Sequence, residues 1–145
     1  MLKTIDVTLR DGGYRNNFAF TREYARAHAL LSVAAGVDWV EVGYRGGPPK
    51  WMPDAGLTGR SDDDYIADVA DAVGPDHVGV MVHPSHADAL SLRDAFVAGA
   101  RLARICVPAA DPRPGMHLAE VAAALGFVVC VNATRVSALS IATIR

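Results

Sequence analysis

The sequence predicts a parallel α/β fold of the (β/α)8 barrel kind, present only in part, with about five strands and four helices. Three observations lead there. Five short apolar segments rich in valine and isoleucine alternate with stretches of helical periodicity, as in a parallel sheet. No G-x-G-x-x-G follows the first apolar segment, which removes support for a dinucleotide-binding sheet. Charged and polar residues gather just after the segments, where a barrel builds its site. A full barrel takes eight units and about 250 residues. The 145 residues here hold little more than half, so the expectation is the N-terminal portion of a single barrel domain over 1–145.

Ile5, Val7 and Leu9 alternate with Asp6, Thr8 and Arg10, the period of a strand, and Gly12-Gly13 then permits a sharp turn. Thr21 is a plausible N-cap. Tyr24, His28, Leu31 and Ala35 recur behind it at helical spacing until Gly36. Residues 37–43 form the second strand, with Val40 and Val42 on one face and Glu41 on the other. From Tyr44 to Arg60 the chain is irregular, rich in Gly and Pro, and carries Trp51 and Met52, which suits a binding loop.

Ser61 with Asp64 reads as a capping box before a helix through Val73. HVGVMVH, 77–83, is the third strand, and Ser85 with Asp88 caps a helix that Gly99 closes. Residues 102–107 form the fourth strand, with a Pro-rich loop to Pro114 and a helix from Met116 to Leu125. Residues 127–131 form the fifth strand, and Ser137 opens a further helix. Val7, Val80 and Ile105 are candidates for an inward face that strands six to eight would close.

Composition narrows the function. A net charge of −2 and the lack of a basic stripe argue against nucleic acid. No apolar stretch is long enough to span a bilayer, and Met1-Leu2-Lys3 runs straight into a strand, so a cytoplasmic protein is expected. Cys106 and Cys130 sit in apolar strands and read as reduced core residues. The two lysines, Lys3 and Lys50, occupy a strand start and a loop, unsuited to a Schiff base. Carbonyl chemistry would then use a metal.

The residues collected at strand ends are Arg10, Asp11, Tyr14 and Arg15, then Tyr44 and Arg45, then His83, then Asn132 and Arg135, with Glu41 projecting inward one step below its loop. At the strand ends four arginines stand beside one carboxylate, Asp11, which suits a small anionic substrate such as a keto acid. Arg10-Asp11 alone would equally suit a surface ion pair before a turn.

TLRDG, and its longer form DVTLRDGGYRNNF, resembles the signature of the superfamily of pyruvate-carboxylase domains, hydroxymethylglutaryl-CoA lyases and 4-hydroxy-2-oxovalerate aldolases, in its aldolase-like branch. GVDWVEVGYR supports the resemblance and VNATRVSALS adds a weaker match. It implies a barrel and a lyase that breaks or forms a carbon–carbon bond in a 2-oxo acid. It further implies that Asp11 is a ligand to a divalent metal, manganese or magnesium, and that Arg10 steadies the enolate oxygen. The family's remaining ligands, a His-x-His pair, are absent from this sequence. His83 and His86 flank Pro84 and read as strand-end and helix-start residues. Tyr14 stands where characterised relatives carry a histidine base; a tyrosine is a poorer base but can donate a hydrogen bond. The competing reading is an inactive truncated relative that binds a ligand or completes another barrel. Either way, association into a homo-oligomer or a missing C-terminal half is expected from the two open strand edges.

Overall fold

The computed structural model describes residues 2–50 and 52–144; Trp51 and Arg145 lie outside the described residues. Five strands form one sheet in consecutive order, β1 Ile5–Asp6, β2 Trp39–Arg45, β3 Val78–Val82, β4 Leu102–Pro108 and β5 Val128–Thr134. All four pairings are parallel. The four longer helices are α1 Arg22–Ala34, α2 Asp63–Val73, α3 Ala89–Val97 and α4 Arg113–Ala124. The sheet is a partial (β/α)8 barrel, as the alternation of segments predicts.

Two faces divide the sheet. Val40, Val42, Val80, Val82, Ala103 and Ile105 pack with Ala25, Tyr65, Ile66 and Leu92 from the helices in one apolar core. Val80 and Ile105 therefore face outward to the helices, not inward. The inward face carries Glu41, Tyr44, Arg104 and Asn132 together with Met81, Leu102, Cys106 and Cys130, a mixed polar and apolar set. The expectation of a shared apolar lumen is corrected by this pattern.

β1 is shorter than its alternation predicts. The Asp6 carboxylate accepts from the Thr8 N–H at 3.0 Å and the Thr8 hydroxyl at 3.1 Å, which diverts the chain into a helical turn at Thr8–Asp11. That turn buries Leu9 and Arg10 together. Gly12 has a helical φ of −62°, so no unusual turn is made there. Gly13 is needed for a different reason: a Cβ on it would collide with the Phe18 ring.

Four helix details differ from expectation. In α1 the Thr21 side chain does accept from the Tyr24 N–H, but the buried face is Ala25 and Ala29, while Tyr24 and Leu31 are exposed. Small residues bring this helix close to β2, a choice that side-chain size, not hydropathy, decides. Ser61 lies in the left-handed region at φ 45°, and Asp62, not Ser61, is the N-cap residue of α2. For α3 the cap is Asp88 itself, accepting from the Ser91 N–H at 2.8 Å. α4 starts at Arg113 with Pro114 in its first turn, ahead of the expected Met116.

No described helix is long and apolar enough to cross a membrane. Cys106 and Cys130 are both free.

Candidate active site at the strand ends

A bulge in β2 builds the site. Glu41 pairs with Gly79 and Tyr44 with Met81, so three residues of β2 span two of β3. The extra residue turns Tyr44 onto the inward face with Glu41. Gly43, at φ +157°, occupies the bulge because a Cβ would strike the Thr58 carbonyl. The Val42 carbonyl accepts from the Tyr65 hydroxyl at 3.0 Å. The same shift sends Arg45 to the other face, beside Val82.

Glu41 is fully buried and lies between two guanidinium groups. Arg10 Nε donates to its Oε1, and Arg104 Nη1 approaches its Oε2 at 3.5 Å. Arg10 Nη1 also donates to Asp11 Oδ1 at 2.7 Å, and Arg104 Nη2 donates to Asn132 Oδ1 at 3.1 Å. Burial alone would loosen the Arg10 proton, but Glu41 outweighs it and the guanidinium is held more firmly charged than usual. Two arginines are thus balanced by two carboxylates, and the expected cationic excess is not present. Asp11 is largely exposed at 65 %, on the solvent side of Arg10.

The two tyrosine hydroxyls, Tyr14 and Tyr44, lie 3.0 Å apart and share a hydrogen bond. Tyr44 is buried and Tyr14 partly exposed. Burial pushes the Tyr44 phenol above its ordinary range, Tyr14 adds to the rise, and the nearby Arg10 only partly offsets it. Tyr44 is therefore a neutral hydrogen-bonding group, not a base. The Arg10 guanidinium lies 5.7 Å from the centre of its ring. Tyr14, Tyr44 and Phe18 form an edge-to-face cluster with centroids 5.0 to 6.0 Å apart.

The structure brings together Arg10, Asp11, Tyr14, Glu41, Tyr44 and Asn132 among the residues singled out from the sequence. It does not bring in the others. Arg45 is tied to the helix starts, donating to Ser91 and to the Ser61 carbonyl and pairing with Asp63 at 2.7 Å. Arg15 and Arg135 are exposed. His83 accepts from the Ser85 N–H at 3.2 Å and faces His86, with ring centres 5.8 Å apart. Burial lowers the His83 pKa, and His86 lowers it further.

Arg104 is the member of this cluster that the sequence did not single out. Its signal was a lone cation in the apolar run LARICVP, which a buried strand can hold only with a partner. Cys106 sits in the same group, its thiol pushed up by burial against the opposing influence of Thr134 and Arg104.

For a divalent cation, Asp11 offers one hard oxygen ligand. Among the described residues no three His, Cys, Asp or Glu side chains converge as a metal site. These residues alone do not make one.

The chain is 29 % identical over 125 residues to the 4-hydroxy-2-oxovalerate aldolase of Carboxydothermus hydrogenoformans, covering 86 % of this chain and 37 % of that protein. It is 27 % identical to 4-hydroxy-2-oxovalerate aldolase 6 of Rhodococcus jostii, covering 89 % of this chain and 36 % of the relative. Its curated relatives are 4-hydroxy-2-oxovalerate aldolases. The chain spans about a third of the length of these aldolases. The crystal structure of the N-terminal domain of a candidate aldolase from Bacteroides vulgatus shares the fold, with a TM-score of 0.78 at 23 % identity, covering 99 % of this chain and 48 % of that one. No protein-family model matches the chain.

Proposed function

We propose that this chain supplies the N-terminal portion of a barrel whose strand-end face breaks or forms a carbon–carbon bond in a small anionic 2-oxo acid. The observation that carries the reading is Arg10, held by buried Glu41 beside exposed Asp11, in a chain similar to aldolases.

In the cleavage direction, a 4-hydroxy-2-oxo acid gives its hydroxyl proton to solvent, and carbon 3 takes a proton back when the enolate collapses to the free 2-oxo acid. The bond between carbons 3 and 4 breaks, an aldehyde departs, and charge collects on the 2-oxygen as an enolate. That charge is the obstacle, and fixed donors aimed at it are the usual remedy. Arg10 is such a donor: Glu41 fixes its Nε and Asp11 its Nη1, leaving the outer edge of the guanidinium for the oxygen. Arg104 holds Glu41 from the far side and Asn132 steadies Arg104. Tyr14 and Tyr44 place neutral hydroxyls nearby, suited to donating hydrogen bonds to substrate oxygens. A divalent ion, manganese or magnesium, would polarise the carbonyl; Asp11 would give it one oxygen ligand, and the other ligands would have to come from outside this chain.

The test is pyruvate release from 4-hydroxy-2-oxovalerate, followed with and without Mn²⁺ or Mg²⁺, using the longest polypeptide that carries this sequence. Metal-dependent turnover supports the reading. Its absence under all conditions favours the second reading, a partner that completes another barrel without turnover. The specific observation behind that alternative is β5, where Val128 and Val131 stay exposed at the sheet edge.

A further inference from the structure

We propose that the cavity between the loops after β2 and β3 binds a short-chain organic phosphate. It encloses about 240 Å³, and its lining includes Gly47, Pro48, Lys50, Met52, Arg60 and His86. Among the described residues no carboxylate lines it.

Among the described residues the two cations there lack close ion pairs, in contrast to three arginines elsewhere. Arg22, Arg26 and Arg45 each meet a carboxylate within 3.0 Å. Lys50 has no ion pair among the described residues, and Arg60 has Asp62 only at 3.8 Å, beyond a good hydrogen bond. The His86 ring stands beside Gly47, and its ring contact among the described residues is with His83. Gly47 is buried, and its N–H makes no hydrogen bond among the described residues. Two permanent cations, an imidazole and a spare N–H on one cavity call for an oxyanion with several acceptors, which a phosphoryl group provides.

The pocket is shaped before a ligand arrives. Gly46, at φ +81°, packs so tightly on the His86 carbonyl that a Cβ would collide with it, and its N–H donates to the Arg60 carbonyl at 3.2 Å. These contacts hold the two loops and Arg60 together. Pro48, Met52 and Pro53, also in the lining, offer apolar surface for a few carbons. Met52 packs against the cluster of Phe18, Tyr44, Ala55 and Met81, and the cavity shares no lining residue with the group around Arg10. The site is thus distinct from the proposed reacting centre and does not depend on the aldolase reading.

The test is titration of the ¹⁵N-labelled chain with propyl phosphate, followed by amide shifts of Gly47 and His86. Inorganic phosphate and propan-1-ol are the comparison probes. Saturable shifts are expected with propyl phosphate, weaker binding with inorganic phosphate, and none with the alcohol. The Lys50→Gln/Arg60→Gln variant, altered only at exposed side chains and checked by its thermal melt, should bind propyl phosphate about tenfold or more weakly, the loss of charge-assisted hydrogen bonds. Unchanged affinity in that variant, or no saturable shift at Gly47, overturns the site. Equal affinity for inorganic phosphate overturns the organic ligand.

Discussion

Arg10 and Glu41 form a pair whose carboxylate is wholly out of water, and the guanidinium is nearly so at 9 % exposure. Such a pair is costly to break from one side, because the surviving charge stays buried. Glu41→Ala should destabilise the fold by about 3–5 kcal/mol, and Glu41→Gln by less, since the amide oxygen still accepts. Urea denaturation of the two variants decides this. A Glu41→Ala protein as stable as its parent would show that the pair carries no structural weight.

Arg10→Lys tests the geometry of the same pair. An ammonium cannot serve Glu41, Asp11 and a substrate oxygen from one rigid plane. In a polypeptide showing aldolase turnover, the rate constant should fall on the order of a hundredfold. Steady-state kinetics that match the parent would remove Arg10 from its proposed role.

The β2 bulge gives a sharper prediction. Gly43→Ala places a methyl group into the Thr58 carbonyl, which is backbone and cannot swing aside. The cost should be roughly 3 kcal/mol or more. Because the bulge turns Tyr44 inward, the variant should also lose the Tyr14–Tyr44 contact, seen as altered near-ultraviolet circular dichroism. A melt and spectrum like the parent's would count against the bulge.

Asp6 predicts a pH dependence. Burial tends to raise its carboxyl, but hydrogen bonds from His28 and Thr8 prevail and hold it below its ordinary 3.8. A depressed folded-state value contributes stability above the unfolded value, and that stability is lost as pH falls through the folded one. Asp6→Asn should therefore cost about 1–2 kcal/mol at neutral pH. The gap to the parent should close below about pH 3.8, in the acid limb of a stability profile. A gap that persists unchanged into that limb would sink the assignment.

Tyrosine ionisation offers an independent check on the site. Burial raises both Tyr44 and Tyr65 above the ordinary 10. Of the four tyrosines, these two should stay protonated past the usual range in the folded chain. Alkaline difference spectra should show them titrating only when the protein unfolds.

Alternation of segments was enough to order the five strands, because β2, β3 and β4 each turn an apolar face to the helices. Helix ends near Gly36, Gly99 and Gly126 were legible for the same local reason. The course of β1 was not, since the Asp6–Thr8 turn competes with an alternating pattern that is equally real. Arg10, Asp11 and Glu41 could be found from strand ends and inward positions. Arg45 could not be excluded, because a one-residue bulge reverses the side to which every later residue in β2 points. Arg104 was hidden by its apolar neighbours, and only its partner across the sheet, Glu41, makes its purpose visible.

The polar residues lining the sheet have a consequence for how such a chain lives while it is being made. Its grease is already spent against α1 to α4, and what remains uncovered on the concave side is Arg104, Asn132 and their neighbours, groups that water solvates readily. A ribosome that has released β5 therefore presents the cell with a hydrated trough and not a sticky one. At the open sheet edge Val128 and Val131 are exposed, so chaperones and closing strands alike would find a grip there.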